Sequence, residues 1–238
     1  MVEIARFGSY HSHGMLAVGF DTAEEFGSVA LVRGTETVSE KPMTERLRHA
    51  EQLLPTLVDV LSANSLDKSR IELVCVNRGP GSFTGLRIGF ATAQGLCQTL
   101  GVPLVGVDGM ESYLLRTGLN GRTCIVVHSR RELYYARWYN DGRGLGPTQM
   151  MTREQLIDRI AARSRPVTVG GSGVSRLRDQ LLELASDGTK VAPLRLASED
   201  AAAPSASAIG VLGQKLYSKD EIMSAEPAYV EPILIKSS

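Results

Sequence analysis

The chain has 238 residues, with 26 basic and 26 acidic side chains and 43% hydrophobic residues, which is enough for one large or two small α/β domains with an ample core. It contains no apolar run of about 18 residues, which excludes a membrane-spanning helix. The N-terminus lacks the apolar core of a signal peptide, so a cytoplasmic protein is expected.

Charge is unevenly distributed along the chain. Residues 116–195 carry fourteen Lys and Arg against seven Asp and Glu, whereas the segments on either side are net acidic. Such a basic segment faces nucleic acid or an acidic partner, or it is a set of scattered, solvated arginines. Aromatic residues make up only 5% of the chain, which argues against an aromatic nucleic-acid platform.

The cysteine and histidine spacings do not indicate a metal site. Cys75, Cys97 and Cys124 each lie inside an apolar segment, without zinc-site or disulfide spacing, and are predicted to be buried thiols. His11 and His13 are two residues apart without further ligands nearby. No metal site is therefore predicted.

The first structural unit is predicted at 15–115. Residues 1–14 fit no periodic pattern and are expected to be an extension, an alternative start or an artefact of expression. Apolar runs and turn residues then predict strands at 15–20, 27–33, 36–40, 71–76 and 103–107, and helices at 45–63, 84–100 and 108–117. Pro55 is expected to bend or break the first helix.

A second unit is predicted at 116–238, with its final segment free to pack back on the first. The pattern gives strands at 123–128, 133–139 and 166–169, and helices at 153–163, 175–185 and 205–217. The run GGSG at 170–173 is expected to be a connecting turn. Both units thus begin with a β-hairpin followed by helices.

The junction between the strand at 71–76 and the helix at 84–100 is the most informative part of the chain. Its sequence at 78–89 is RGPGSFTGLRIG, a tight turn followed by a helix start with Ser82 or Thr84 as N-cap. A glycine-rich loop before a helix suits phosphate, but no P-loop lysine follows Gly85 and the glycine spacing is one residue too long for a dinucleotide fingerprint. A structural turn is favoured over phosphate binding.

The helix that follows is rich in small residues. A single stripe at i, i+4, i+7 and i+11 contains Gly85, Gly89, Thr92 and Leu96. Each helical glycine destabilises a helix by roughly 1 kcal/mol relative to alanine. Close approach of another backbone would offset this, from the same chain or from a partner.

The stretch GPGSFTGLRIG at 79–89 resembles the signature of the TsaB family, bacterial proteins that partner TsaD in making threonylcarbamoyladenosine next to the anticodon of tRNA. The similarity covers about 15–112 and includes LAVGFDTA (16–23), GSVAL (27–31), RHAEQLLP (48–55), QGL (94–96) and PLVGV (103–107). In the second half, HSRR (128–131) stands where the family has Asp-Ala-Arg, and PAYV (227–230) is followed by Glu231 instead of the usual arginine. Contacts made by that aspartate or that arginine are thereby in doubt.

The resemblance implies an α/β fold of two subdomains, the duplicated ribonuclease-H-like fold of the actin, sugar-kinase and heat-shock-protein (ASKHA) superfamily. It implies a non-catalytic scaffold or activating subunit that forms a heterodimer with a TsaD-type enzyme, with a TsaE-type ATPase joining and tRNA bound through the complex. Without the partner, the same face would form a homodimer. The expected partner-binding residues are His49, Leu53, Leu54, Gly85, Gly89, Thr92 and Leu96.

The main alternative is an ATP-dependent small-molecule kinase or acyl-transfer enzyme. In the superfamily, an acidic residue of the first hairpin serves the metal–nucleotide, and Asp21 followed by Thr22 holds that position here. The pair is either a weak ATP or ADP site or a cap for the turn. The family resemblance favours the cap.

A peptidase fits the sequence poorly. TsaD-like proteins hold a metal with a His-x-x-x-His motif, and no two of the four histidines, at 11, 13, 49 and 128, are four apart. Ser82 lies in GSFTG rather than in the Gly-x-Ser-x-Gly turn of a serine hydrolase. No catalytic residue is therefore predicted.

Overall fold

The computed structural model describes residues 14–118, 120–186, 192–198, 203, 205–220, 226 and 228. The predicted extension at 1–14, apart from Gly14, lies outside the described residues. So does the motif at 227–230, apart from Ala228.

Two β-sheets organise the chain. The strands of the first sheet are β1 (Leu16–Asp21), β2 (Ser28–Arg33), β3 (Glu36–Pro42), β4 (Leu73–Asn77) and β5 (Leu104–Val107). Those of the second are β6 (Arg122–His128), β7 (Leu133–Asn140), β8 (Arg143–Gly144), β9 (Gln149–Thr152), β10 (Val167–Gly170) and β11 (Leu194–Leu196). The helices are α1 (His49–Ala63), α2 (Phe83–Leu100), α3 (Gly109–Thr117), α4 (Arg153–Ala161), α5 (Val174–Ser186) and α6 (Ala206–Ser218).

Both sheets repeat one plan. In the first, the order is β3-β2-β1-β4-β5, with an antiparallel β1–β2 hairpin and with β4 and β5 parallel to β1. In the second, the order is β11-β10-β6-β7-β8, with an antiparallel β6–β7 hairpin and with β10 and β11 parallel to β6. The sequence predicted that a hairpin followed by helices occurs twice, and the structure shows that the strand arrangement of the whole sheet is repeated.

Helices cover both faces of the first sheet, which explains why its central strands are continuous apolar runs. α1 and α2 pack over Phe20, Leu31 and Val74 on one face. On the other face, α6 contacts β1, β2, β4 and β5, with Ile209 packed beside Ala17. None of the described helices is long and apolar enough to cross a membrane.

α1 begins later than predicted, at residue 49 rather than 45. Leu47 has a φ of 60°, in the left-handed region that a right-handed helix cannot include. Just before it, the Arg46 guanidinium donates to both carboxylate oxygens of Glu25, at 2.8 and 2.6 Å, which holds this segment as a loop. Of the predicted bend or break at Pro55, the break is wrong, because the helix continues through this residue, and the bend stays a prediction.

α2 packs unusually close to the turn between β1 and β2. A Cβ on Gly85 would lie 2.0 Å from the carbonyl oxygen of Thr22, and one on Gly89 would lie 2.4 Å from the Thr22 Oγ1. The Thr22 hydroxyl donates to the Gly85 carbonyl at 2.8 Å. The close backbone expected from the sequence is therefore this chain's own turn.

This contact corrects one expectation about the partner-binding residues. Gly85 and Gly89 are buried against Thr22, so they do not face a partner. The N-cap prediction is confirmed, since the Ser82 Oγ accepts a hydrogen bond from the Gly85 N–H at 3.2 Å. A large side chain at Gly89 would therefore disrupt the packing of α2 on Thr22, not a partner-binding surface.

We predict that Gly89→Ala destabilises the protein by roughly 1–3 kcal/mol, because the new methyl group overlaps Thr22. Gly95→Ala is the matched control, since Gly95 lies in the same helix and a Cβ added there would meet no atom within 4 Å. It is expected to stabilise the protein by about 0.5–1 kcal/mol through helix propensity. Urea unfolding of both variants measures the difference, and equal stabilities would contradict the close packing.

Candidate functional site: an interdomain cavity and an apolar helical face

A cavity of about 550 Å³ lies between the two halves of the chain. On one side it is lined by the β1–β2 turn, with Glu24, Glu25 and Phe26. On the other side it is lined by residues at the ends of β6 and β10 and at the start of α5, including His128, Ser172 and Arg176. The GGSG run at 170–173 is thus part of the cavity wall as well as a connection.

Asp21 and Thr22, the two candidate nucleotide-binding residues, are buried and bonded within the chain. The Asp21 Oδ1 accepts hydrogen bonds from the Ala23 N–H at 3.1 Å and from the Asn77 Nδ2 at 3.0 Å. Burial raises the pKa of this carboxyl. Thr22 holds α2 as described above, so both side chains shape the turn, as the capping interpretation predicts.

Glu24 joins the two halves of the chain, and the sequence analysis missed it. Its Oε1 accepts hydrogen bonds from the Ser172 hydroxyl at 2.6 Å and from the Tyr113 hydroxyl at 3.2 Å. Loss of solvent around the carboxylate raises its pKa to about 7, since the two donated bonds only partly offset burial. No local motif marks Glu24, because its partners lie 89 and 148 residues away in sequence.

A second polar link connects α3 with β7. The Arg137 Nη1 lies 3.0 Å from the Asp108 Oδ2 and 3.1 Å from the Glu111 Oε1. Asp108 also caps α3 by accepting a hydrogen bond from the Met110 N–H at 2.8 Å. Burial raises the pKa of Asp108, and Arg137 offsets part of that rise.

Ser82 and the histidines at 49 and 128 are hydrogen-bonded to the chain's own backbone. The Ser82 Oγ caps α2, and the His49 Nε2 lies 2.8 Å from the Glu24 carbonyl oxygen. The His128 Nε2 lies 3.0 Å from the Arg131 carbonyl oxygen. Among the described residues there is no group of three His, Cys, Asp or Glu side chains placed to hold a metal ion.

The expected partner-binding residues divide between the core and the surface. His49 and Leu53 are buried, whereas Leu54 is 52% exposed. Thr92 and Leu96 are half-buried, and Leu96 packs against the core. Most of the expected partner-binding residues therefore lie on the inner sides of α1 and α2, where they pack against the rest of the chain.

The outer sides of α1 and α2 nevertheless carry exposed apolar side chains. Leu54, Val58 and Phe83 are 52%, 59% and 51% exposed, and we call these three the α1–α2 face. Leu54 and Val58 lie one helical turn apart on α1. The Arg87 guanidinium lies over the Phe83 ring, 3.8 Å from its centroid. Further along α2, Gly95 is exposed and faces open space.

Comparison with known proteins identifies the family. The model of the family TsaD, tRNA N6-adenosine threonylcarbamoyltransferase, matches residues 37–215. The chain belongs to this family, as a TsaB-type member. The TsaB proteins of Escherichia coli and Bacillus subtilis, named for tRNA threonylcarbamoyladenosine biosynthesis, are 32% and 26% identical to it over 135 and 175 residues. These matches cover 55% and 71% of this chain, and 58% and 76% of the two proteins.

Mycobacterial relatives are named only as uncharacterized proteins. An uncharacterized protein of Mycobacterium leprae is 34% identical over 136 residues, which is 56% of this chain and 37% of that protein. An uncharacterized Mycobacterium tuberculosis protein, also 34% identical, is covered over 62% of its length. The TsaB-type chain thus spans between about a third and two thirds of these mycobacterial relatives.

Solved structures confirm the predicted ASKHA fold. YeaZ from Pseudomonas aeruginosa superposes with a TM-score of 0.70 at 23% identity, covering 91% of this chain and all of YeaZ. A polyphosphate/ATP-glucomannokinase from Arthrobacter superposes with a TM-score of 0.52 at 11% identity, covering 87% of this chain and all of the kinase. At these identities the likeness concerns the fold alone.

We predict that Glu24→Gln stabilises the protein more at high pH than at low pH. The folded state binds this proton more tightly than the unfolded chain, so wild-type stability falls as the pH rises from the ordinary carboxyl pKa of 4.5 through about 7. Glutamine keeps an acceptor for Ser172 and Tyr113 but does not ionise.

The gain from Glu24→Gln is expected to grow by about 1–3 kcal/mol between about pH 5 and about pH 8.5, which urea unfolding at the two pH values measures. Glu36→Gln, at an exposed residue of β3, serves as the control. A pH-independent effect of Glu24→Gln would contradict the raised pKa of Glu24.

Proposed function

We propose that this TsaB-type chain is a non-catalytic subunit that binds a TsaD-type enzyme in the complex that makes threonylcarbamoyladenosine in tRNA. The observation that carries the proposal is the α1–α2 face, which lies within the region matched by the family model. A TsaE-type ATPase and the tRNA would join through the complex, and the chain alone would form a homodimer through the same face. Its place would be the cytoplasm.

The chemistry of the face supports a protein partner. Three large apolar side chains, each about half exposed, lie on two helices that pack against each other. Apolar and aromatic residues of this kind are the anchors of protein interfaces. Gly95 has open space beside it, so a partner helix can approach α2 closely there.

The proposal of a non-catalytic role is supported by the bonding of the candidate residues. Asp21, Thr22, Ser82 and His49 all hold the chain's own turns and helix starts. The His-x-x-x-His metal motif is absent from the sequence. The kinase or acyl-transfer alternative is therefore not favoured.

Weak binding of ATP or ADP stays a prediction. The interdomain cavity is within the size range of small-molecule sites and includes Arg176 and Arg178, but Glu24 and Glu25 also line it. Those carboxylates would oppose a phosphate chain. Calorimetric titration of the isolated chain with ATP tests the prediction.

We predict that Val58→Glu weakens binding to the TsaD-type protein of the same organism by at least about tenfold while leaving the fold intact. A charge that becomes buried in an apolar contact loses its solvation without gaining a partner. Isothermal titration calorimetry measures the affinity, and circular dichroism checks the fold.

Leu182→Glu is the matched control, because Leu182 is a 45% exposed leucine on α5 in the other half of the chain. It should bind the TsaD-type protein like the wild type. A folded Val58→Glu variant with wild-type affinity would overturn the assignment of the face, and absence of binding by the wild type would overturn the proposed function.

A further inference from the structure

A second cavity lies at the opposite end of the second sheet from the interdomain cavity. Its volume is about 410 Å³. It lies near Arg122, where β6 begins, whereas His128 at the end of β6 lines the interdomain cavity. We call it the Trp138 pocket, after the tryptophan of β7 in its wall, and its lining includes Arg122, Trp138, Leu145, Pro147, Arg159 and Arg163.

The charge of the Trp138 pocket is positive. Arg122, Arg159 and Arg163 line it, and no acidic residue is found among its described lining residues. Arg163 is used structurally, since its guanidinium donates to the carbonyl oxygens of Ile160, Leu184 and Ala192. Arg122 and Arg159 are therefore the arginines of this pocket that could contact a ligand.

These two arginines lack acidic partners within the described part of the chain. The exposed Arg159 donates from its Nη1 to the Gln149 Oε1 at 2.6 Å, a neutral acceptor. The Arg122 Nε is buried and has no hydrogen-bond partner there. No carboxylate among the described residues neutralises either guanidinium group, so an anion entering the pocket would pair with them.

The remaining wall is apolar and aromatic. Trp138 is half-buried, and the exposed Leu145 and Pro147 stand beside the pocket. The Arg159 guanidinium lies 5.7 Å from the Trp138 ring centroid, compared with 3.8 Å for Arg87 over Phe83. Arg159 thus packs on Trp138 less closely than Arg87 packs on Phe83.

We propose that the Trp138 pocket binds a nucleotide unit of RNA, with the base against Trp138 and the phosphate held by Arg122 and Arg159. Stacking on an aromatic ring beside guanidinium groups is how proteins hold single-stranded nucleic acid. The volume of the pocket is within the range of small-molecule sites. The choice of RNA over a free nucleotide rests on the proposed function, whereas the nucleotide chemistry rests on the pocket.

The fold brings an aromatic residue and two arginines together, which the composition did not suggest. Aromatic residues make up only 5% of the chain, which argued against an aromatic platform. The antiparallel pairing of β6 and β7 nevertheless places Trp138 opposite Cys124, two residues along the strand from Arg122, and α4 adds Arg159. One aromatic residue with two arginines suffices for a single nucleotide.

Trp138 is the only tryptophan in the chain, so its fluorescence reports on this pocket alone. The experiment titrates the protein with an unmodified tRNA transcript and, separately, with AMP. Saturable quenching by tRNA is expected. Arg159→Glu should weaken tRNA binding at least about fivefold, because a phosphate contact is replaced by repulsion.

Arg130→Glu is the matched control, since it makes the same charge change at an exposed position beyond the far end of β6. It should leave the fluorescence titration unchanged. Equal weakening by both variants would show general attraction to RNA and overturn the pocket. Lack of saturable quenching by tRNA would also overturn it, and quenching by AMP alone would overturn the assignment to RNA.

Two further measurements keep the outcomes separate. Arg159→Gln serves if Arg159→Glu fails to fold, and it should show a smaller loss in the same direction. Arg159→Glu should bind the TsaD-type protein like the wild type, because α4 is remote in sequence and in sheet from the α1–α2 face. If tRNA does not bind at the Trp138 pocket but the TsaD-type protein still binds the chain, the inference about the pocket is wrong and the proposed function is unaffected.

Discussion

The contact between α2 and Thr22 determines how the N-terminal half is built. Because Gly85 and Gly89 have no side chains, α2 comes close enough for the Thr22 hydroxyl to donate to the Gly85 carbonyl. α1 starts beside it, with His49 bonded to the carbonyl of Glu24. Once the inner sides of both helices are filled in this way, the α1–α2 face is left pointing outward.

The same turn also connects the two halves of the chain. Asp21 is held by Asn77 of the first sheet, Glu24 by Ser172 of the second half, and Glu25 lies 3.6 Å from Arg176 of α5. A few residues between β1 and β2 thus link the first sheet, α2 and the second half. Changes in this turn would alter stability and the placement of the two halves together, whereas changes on the α1–α2 face would test the proposed partner binding separately.

The sequence predicted most of the fold, because most elements have clear apolar patterns. β8, β9 and β11 were missed, since they are only two to four residues long and, unlike the equally short β5 and β10, contain no valine to mark them as strands. Periodicity placed Gly85 and Gly89 on one side of α2, but it could not tell whether that side faced a partner or Thr22. Glu24 and Trp138 were missed because the side chains that contact them, such as Ser172 and Arg159, come from other parts of the chain.

The most direct test of the account is hydrogen–deuterium exchange of this chain with and without the TsaD-type protein of the same organism. The account predicts slower exchange in peptides covering α1 and the first turns of α2, with α5 unchanged. Unchanged exchange in α1 and α2 on complex formation, or protection centred on α5, would contradict it.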